Sequence, residues 1–98
     1  MMVQQEEHEG VLTLRIEGAL SIYEVAHCKE ELLGSLHHEG PLELDLQGLT
    51  ECDLAGLQLL LGCRKSRIQH KRPLCFTNIP QVVKDLARSG GIQEKDLR

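Results

Sequence analysis

Apolar and polar residues alternate along two segments of the chain, Val11–Glu17 and Pro41–Gln47. A period of two places every second side chain on the same face, which predicts a strand with one buried face in each segment. A weaker strand pattern over residues 2–8, followed by a turn at Glu9–Gly10, predicts an N-terminal hairpin. The expected buried side chains of the two alternating strands are Leu12, Leu14, Ile16, Leu42, Leu44 and Leu46.

Two segments, one in each half of the chain, carry apolar residues at helical spacing. The first follows Ser21, which matches a capping box with Glu24 three residues later, so a helix is predicted to begin there. The other opens at Asn78–Pro80, with Asn78 or Ile79 as the cap and the proline in the first turn, and it stops at Gly90–Gly91. The expected buried residues of the two helices are Ile22, Val25, Ala26, Leu32, Leu33 and Leu36, and then Val82, Val83, Leu86 and Ala87.

A denser apolar run over Leu54–Ile68 predicts a third helix between these two. Asp53 is placed to cap its N-terminus, and the preceding residues 48–52 are predicted to form a loop. The leucines of this helix cannot all share one face. The stripe expected to fill the core is Leu57, Leu60, Leu61 and Ile68. Leu54 and Leu59 would then lie towards the rim, either offered to a partner or covered by neighbouring helices.

The order of elements indicates the fold class. With a last strand at Pro73–Thr77, the chain alternates strands and helices, and such alternation favours right-handed crossovers between parallel strands. The sequence therefore predicts a single α/β domain over residues 1–98. Its sheet is expected to be mixed, with about four strands and with the helices packed on one face.

Charge and aromatic content exclude a nucleic-acid-binding role. The net charge is −4 and aromatic residues make up 2% of the chain, whereas nucleic-acid binding requires a basic surface or aromatic stacking platforms. Cations suit the C-terminal end of a helix dipole, so the one basic cluster is predicted to be a solvated helix end, with a docking patch for an acidic partner as the alternative. The cluster consists of Arg64, Lys65, Arg67, His70, Lys71 and Arg72.

The four cysteines, Cys28, Cys52, Cys63 and Cys75, are far apart and form no C-x-x-C pair, so no metal site is predicted. No phosphate-cradling glycine loop is present, and no cofactor is expected. The polar N-terminus does not match a signal peptide, and no apolar run approaches the length of a membrane span. These features predict a cytoplasmic protein with unpaired thiols and no membrane insertion.

A motif joins the second alternating strand to the dense helix. The strand ends in Asp45–Leu46, a loop follows, and the helix opens with Asp53, two further residues and Gly56–Leu57. This combination, in its context of a turn at Gly18–Ser21, resembles the signature region of STAS domains, the family of anti-sigma-factor antagonists. The resemblance covers nearly the whole chain. It implies a STAS-like fold and a regulator that binds a protein partner through the loop and helix starting at Asp53.

The chain departs from the family pattern at the regulatory position. In anti-sigma-factor antagonists a partner kinase phosphorylates a serine or threonine in this loop, and the added charge releases the partner. Here the residues between Asp53 and Gly56 are Leu54 and Ala55, and neither has a hydroxyl. No phosphoacceptor is therefore predicted, with Ala55 at the expected position. Ser21 and Thr50 are the nearest hydroxyls and the alternative sites.

The resemblance implies a non-enzymatic bacterial regulatory module without the usual phosphoswitch, bound to an anti-sigma-type kinase or a signalling complex. The alternative is a STAS-like accessory subunit of a transport ATPase, such as a lipid transporter. The predicted surface is the 50–58 loop and helix start, joined by the 18–23 turn. Leu54, Ala55 and Leu57 would offer apolar contact, and Gly56 would let a partner come close. The predicted partner-binding residues are Ser21, Thr50, Asp53, Leu54, Ala55, Gly56 and Leu57.

Overall fold

The computed structural model describes residues 2–93 and residue 97, and the described residues form five strands and three α-helices. The strands are β1 (Met2–His8), β2 (Val11–Leu20), β3 (Leu42–Asp45), β4 (Leu49–Cys52) and β5 (Leu74–Thr77). The helices are α1 (Val25–Leu33), α2 (Leu54–Gln69) and α3 (Gln81–Ser89), and a 3-10 turn follows α1 at Ser35–His37. The predicted domain of residues 1–98 also includes residues 1, 94–96 and 98, which lie outside the described part.

The sheet is mixed, as predicted, and its strand order is β1-β2-β3-β5. β1 and β2 form the antiparallel N-terminal hairpin, while β3 runs parallel to β2 and β5 runs parallel to β3. The predicted alternation is confirmed, since Leu14 and Ile16 are buried and Arg15 between them is exposed. The helices therefore pack on the apolar face. The opposite face carries polar pairs such as Thr13 with Glu43.

A fifth strand, β4, lies within the segment that was predicted to be a loop. It pairs in parallel with Gly18–Leu20 of β2, beyond the residues of β2 that pair with β3. β2 reaches this far because Gly18, at a φ of 98°, accommodates a register shift that an L-residue would resist. The sequence predicted that this strand would end at Glu17, in which case β4 would have had no strand to pair with. The expected count of about four strands is therefore one short.

The N-terminus of α1 differs from the prediction, because the capping box of Ser21 and Glu24 does not form. The Ser21 hydroxyl accepts a hydrogen bond from the Tyr23 amide at 3.3 Å, and the Ser21 carbonyl accepts one from the Glu24 amide at 2.9 Å. These bonds close a turn, and the helix begins only after it, at Val25. Three residues of this region that were predicted to be buried are exposed, namely Ile22 in the turn and Ala26 and Leu33 in α1.

α2 has the predicted extent to within one residue, but its buried stripe differs at the C-terminal end. Leu57 and Leu60 are buried as expected, and the stripe continues through Cys63 to Arg67. Ile68 is 57% exposed, so its predicted place in the core is wrong. One residue along a helix turns the side chain by about 100°, which carries Ile68 off the buried face. Leu54 and Leu59 lie towards the rim, as predicted: Leu54 is half exposed and Leu59 partly buried.

Arg67 is not part of a solvated helix end, because only 1% of it is exposed. Its guanidinium donates hydrogen bonds to the carbonyl oxygens of Leu36, His38, Gly40 and Pro73. Burial lowers the pKa of this guanidinium, and the neighbouring Arg72 lowers it further, but an arginine remains charged in a protein. Arg67 thus ties the end of α2 to the connection before β3 and to the residue that precedes β5.

α3 also starts slightly later than predicted. Its N-cap is Pro80, with no side-chain cap, rather than Asn78 or Ile79. Gly90 forms the C-cap, which confirms the predicted glycine stop. The buried residues of this helix are Val83 and Ala87, while Val82 is 38% exposed and does not belong to the buried stripe.

Candidate partner-binding surface

Asp53 connects the start of α2 to the turn that precedes α1. Its Oδ1 atom accepts a hydrogen bond from the Gly56 amide at 2.9 Å, which confirms the predicted N-cap. Its Oδ2 atom accepts a second bond from the Ile22 amide at 2.8 Å. The bond from Gly56 and then that from Ile22 hold the pKa of this carboxyl below its ordinary value. The ionised side chain therefore fixes two surface segments relative to one another.

Exposed apolar side chains flank this carboxylate. Ile22 is 66% exposed, Tyr23 is 90% exposed and Leu54 is 50% exposed. Together with the half-buried Ala55 they form what we term the apolar rim. Neighbouring exposed apolar side chains of this kind are typical of protein-binding surfaces. The predicted surface included the 18–23 turn, but Ile22 was expected to be buried and Tyr23 was not named as a contact residue, although the only tyrosine of the chain stands outside the helical stripe of α1 and was an available signal.

Two of the predicted contact residues, Gly56 and Leu57, lie beneath the rim and not on it. A Cβ atom on Gly56 would lie 2.4 Å from the Leu20 carbonyl oxygen and 2.9 Å from Leu20 Cγ. The glycine therefore permits α2 to approach β2 closely, and it is not open to a partner. Leu57 is 0% exposed and belongs to the core, so the prediction that it contacts a partner directly is wrong.

The hydroxyls near the rim occupy two different elements. Ser21 is partly buried in the turn before α1, where its hydroxyl bonds the Tyr23 amide. Thr50 is exposed on β4. Ala55 stands at the place expected for a phosphoacceptor, in the first turn of α2. Both predicted alternatives thus lie outside that turn.

Cys52, which precedes Asp53, and the buried Cys28 both have raised pKa values. Burial and then the adjacent Asp53 raise the pKa of Cys52 to about 11, and burial raises that of Cys28 to about 11 as well, followed by smaller contributions from Cys63 and Glu31. Both therefore remain protonated near neutral pH, when a thiol is a poor nucleophile. Within residues 2–93 and residue 97, no group of three or more histidine, cysteine or acidic side chains could hold a metal ion.

None of the helices in the described part of the chain has both the length and the apolar character needed to cross a membrane. The four cysteines are free thiols.

Comparison with protein families gives a match over the full length. The model of the family described as "Mlab, STAS domain" matches residues 1–98. No curated protein sequence matches the chain at a significant level.

Several solved structures share the fold. An RsbS variant from Moorella thermoacetica is 21% identical with a TM-score of 0.75, and the match covers 97% of this chain and 82% of that one. The Bacillus cell fate determinant SpoIIAA in its phosphorylated form is 15% identical with a TM-score of 0.71, covering 93% and 85%. The murine anion transporter Slc26a9 is 20% identical with a TM-score of 0.72, and the match covers 87% of this chain but only 14% of the transporter.

Proposed function

The chain belongs to the STAS domain family, and from this premise we propose that it is a non-enzymatic bacterial regulatory module that binds a protein partner. The partner in this proposal is an anti-sigma-type kinase or a signalling assembly of the cytoplasm. The observation that carries the proposal is the apolar rim, whose Ile22, Tyr23 and Leu54 side chains are at least half exposed beside the carboxylate of Asp53. Leaving such side chains in water costs free energy, which a bound partner would recover.

Regulation in this proposal does not use a phosphoswitch in the first turn of α2. The related fold of SpoIIAA has been solved in a phosphorylated form, so phosphorylation occurs on a protein of this architecture. The two residues that follow Asp53 here, Leu54 and Ala55, cannot accept a phosphoryl group. Without a phosphoryl group to add negative charge in this turn, the rim would stay able to bind its partner at all times, as a constitutive adaptor does.

A second candidate is an accessory subunit of a transport ATPase, such as a lipid transporter. The match to an anion transporter favours it, since the matched region is 14% of that chain and the fold therefore occurs as a small part of a transport protein. The same apolar rim would then contact the ATPase. The two candidates differ in the identity of the partner and not in the surface used.

The test is capture of the partner by the tagged full chain from a native lysate, with mass spectrometry of the captured proteins. Ala55→Glu places a charge within the rim, and Leu54→Glu removes an exposed leucine, so both should lose the specific partner. Ile68→Glu is the matched control, because Ile68 is an equally exposed apolar residue at the other end of the same helix. Partner recovery unchanged by Ala55→Glu and Leu54→Glu would refute the proposed surface.

The identity of the captured protein separates the two candidates. A protein kinase or a component of a signalling assembly supports the first, and the ATPase of a transporter supports the second. Circular dichroism of each variant must show an unchanged fold, so that lost capture reports lost contact.

A further inference from the structure

α1 and α2 enclose an open groove of about 550 Å³ next to the apolar rim. Val25, Leu33 and Leu36 line the side formed by α1 and the turn after it, and Leu59 lines the side formed by α2. Leu33 is 47% exposed and Leu36 and Leu59 are partly buried, so the groove presents apolar surface to solvent. A concave apolar surface between two helices has the shape that receives a third helix, whose ridge of side chains packs between them.

Gly62 provides a second observation at the same place. It lies within α2, where glycine destabilises a helix relative to alanine, and it lines the groove. A Cβ atom on Gly62 would meet no atom within 4 Å in the described part of the molecule, in contrast to Gly56, whose Cβ would clash with Leu20. Packing within the described residues therefore does not require this glycine. Close approach of another backbone would require it.

The charge of the groove restricts its occupant. Lys29 is the one charged side chain among the described residues that line it, and it has no ion pair with another described residue. A partner segment that fills the groove would gain a favourable contact by placing a carboxylate opposite Lys29. A lysine or arginine at that point would meet a like charge.

We propose that the groove between α1 and α2 receives an amphipathic helix of the protein partner, with a small residue over Gly62 and a carboxylate opposite Lys29. This inference rests on the proposed function and extends the contact from the apolar rim into the groove. A second copy of the chain is a poorer occupant, because a symmetric pair would place one concave surface against another. Self-association is therefore an outcome that the test must detect.

The probes are two synthetic helical peptides with the same leucine and alanine face, one with glutamate and one with lysine at the positions that flank this face. Amide NMR signals of the 15N-labelled full chain are followed as each peptide is added. The glutamate peptide should shift the signals of Val25, Leu59 and Gly62 and bind about tenfold more tightly than the lysine peptide. Lys29→Glu should reverse this preference.

Gly62→Leu fills the groove and should weaken binding of the glutamate peptide at least about tenfold, as blocked shape complementarity requires. Gly62→Ala is the folding control, and it should keep the fold and raise the melting temperature by a few degrees. Sedimentation of the wild type should show a monomer. Groove signals that do not move with either peptide, or a Gly62→Leu variant that binds as the wild type does, would overturn the inference. So would a wild-type dimer that Gly62→Leu dissociates.

The captured partner distinguishes failure of this inference from failure of the proposed function. A partner that Leu54→Glu loses and Gly62→Leu retains contradicts the groove and leaves the rim as its binding site. A partner that both variants retain contradicts the rim and the groove together.

Discussion

The carboxylate of Asp53 accepts hydrogen bonds from two backbone amides, those of Ile22 and Gly56, which are 34 residues apart in the sequence. A charged acceptor makes stronger hydrogen bonds than a neutral one, and both bonds favour the ionised form. The two bonds therefore hold the backbone of the segments that carry the rim in place before a partner binds. Preorganisation of this kind lowers the entropic cost of binding.

Arg67 has a comparable role at the opposite end of α2. Here a cationic side chain donates hydrogen bonds to backbone carbonyls, whereas Asp53 is an anionic acceptor of bonds from backbone amides. One guanidinium donates to three backbone carbonyls in the connection before β3 and to a fourth, that of Pro73, immediately before β5. The Pro73 carbonyl also accepts a bond from the Leu42 amide, whereas Arg67 is the donor to the carbonyls of His38 and Gly40 in the connection before β3. Polar groups that are removed from water are costly to leave unpaired.

We predict that Arg67→Ala lowers the free energy of unfolding by about 2–4 kcal/mol, because a buried side chain is lost and part-buried carbonyls such as those of His38 and Gly40 lose their donor. Lys65→Ala is the matched control, since Lys65 is an exposed cation on the same helix and its removal should change stability by less than about 0.5 kcal/mol. Urea unfolding of both variants measures the effect. Equal stability of the two variants would show that the carbonyl contacts of Arg67 do not stabilise the fold.

The role of Asp53 could be predicted from the sequence and that of Arg67 could not, because their hydrogen-bond partners lie at different distances along the chain. A helix cap is a local interaction, and its donor, Gly56, lies three residues away. The partners of Arg67 include Leu36, His38 and Gly40, which lie 27 to 31 residues away and become neighbours only in the folded chain. A basic cluster at a helix end gives no indication of which cation turns inward.

At the scale of elements, α2 carries most of the candidate function. Its first turn forms part of the apolar rim, its middle lines the groove and its last turn contains Arg67. Two glycines of this helix, Gly56 and Gly62, face different surroundings. Gly56 lies against β2, and Gly62 faces open space in the described molecule.

We predict opposite effects of the same substitution at these two glycines. Gly56→Ala should lower the free energy of unfolding by about 1–3 kcal/mol, because the added methyl group is forced against Leu20. Gly62→Ala should raise it by about 0.5–1 kcal/mol, because alanine favours the helix and meets no obstacle. Chemical unfolding of the two variants tests the pair. A loss of stability at Gly62 would contradict the open groove.

The strands and helices with a regular pattern could be predicted, and the exceptions have identifiable causes. The alternation of β2 and β3 and the buried Leu57 and Leu60 of α2 follow directly from periodicity. β4 could not be predicted as a strand, because its four residues lack an apolar alternation and it depends on the continuation of β2 past Gly18. The capping box failed because the Ser21 hydroxyl bonds the nearby Tyr23 amide instead.

At the scale of the whole molecule, two carboxyl groups with lowered pKa values, those of Asp45 and Asp53, make the stability depend on pH. Burial by itself raises the pKa of Asp45, but bonds from the Gln47 amide, Asn78 and Arg15 together outweigh it, and the pKa lies below its ordinary value. The pKa of Asp53 is lowered by its two amide bonds. In both cases the unfolded chain binds a proton more readily than the folded chain does.

We predict that this contribution to stability is complete above the ordinary value of 3.8 and is lost as the pH falls through the lower folded values. Urea unfolding at a series of pH values from neutral to about pH 2 measures the decline. Asp45→Asn removes one titrating group and should flatten the slope below the ordinary value. A slope identical to that of the wild type would show that Asp45 does not contribute to the acid sensitivity.

The two faces of the molecule offer different surfaces to a partner. The open face of the sheet carries charged and polar residues, among them the ion pair of Arg15 with Asp45 at 3.3 Å. The helical side carries the apolar rim and the groove. A protein interface has an apolar core, so we assign the partner to the helical side.

Hydrogen–deuterium exchange of the full chain, alone and bound to its captured partner, tests this assignment most directly. We predict that binding slows amide exchange in the turn of residues 21–24 and over residues 53–62, while amide exchange in β1 and β5 is unchanged. Protection confined to the strands, with the rim exchanging as it does in the free chain, would contradict it.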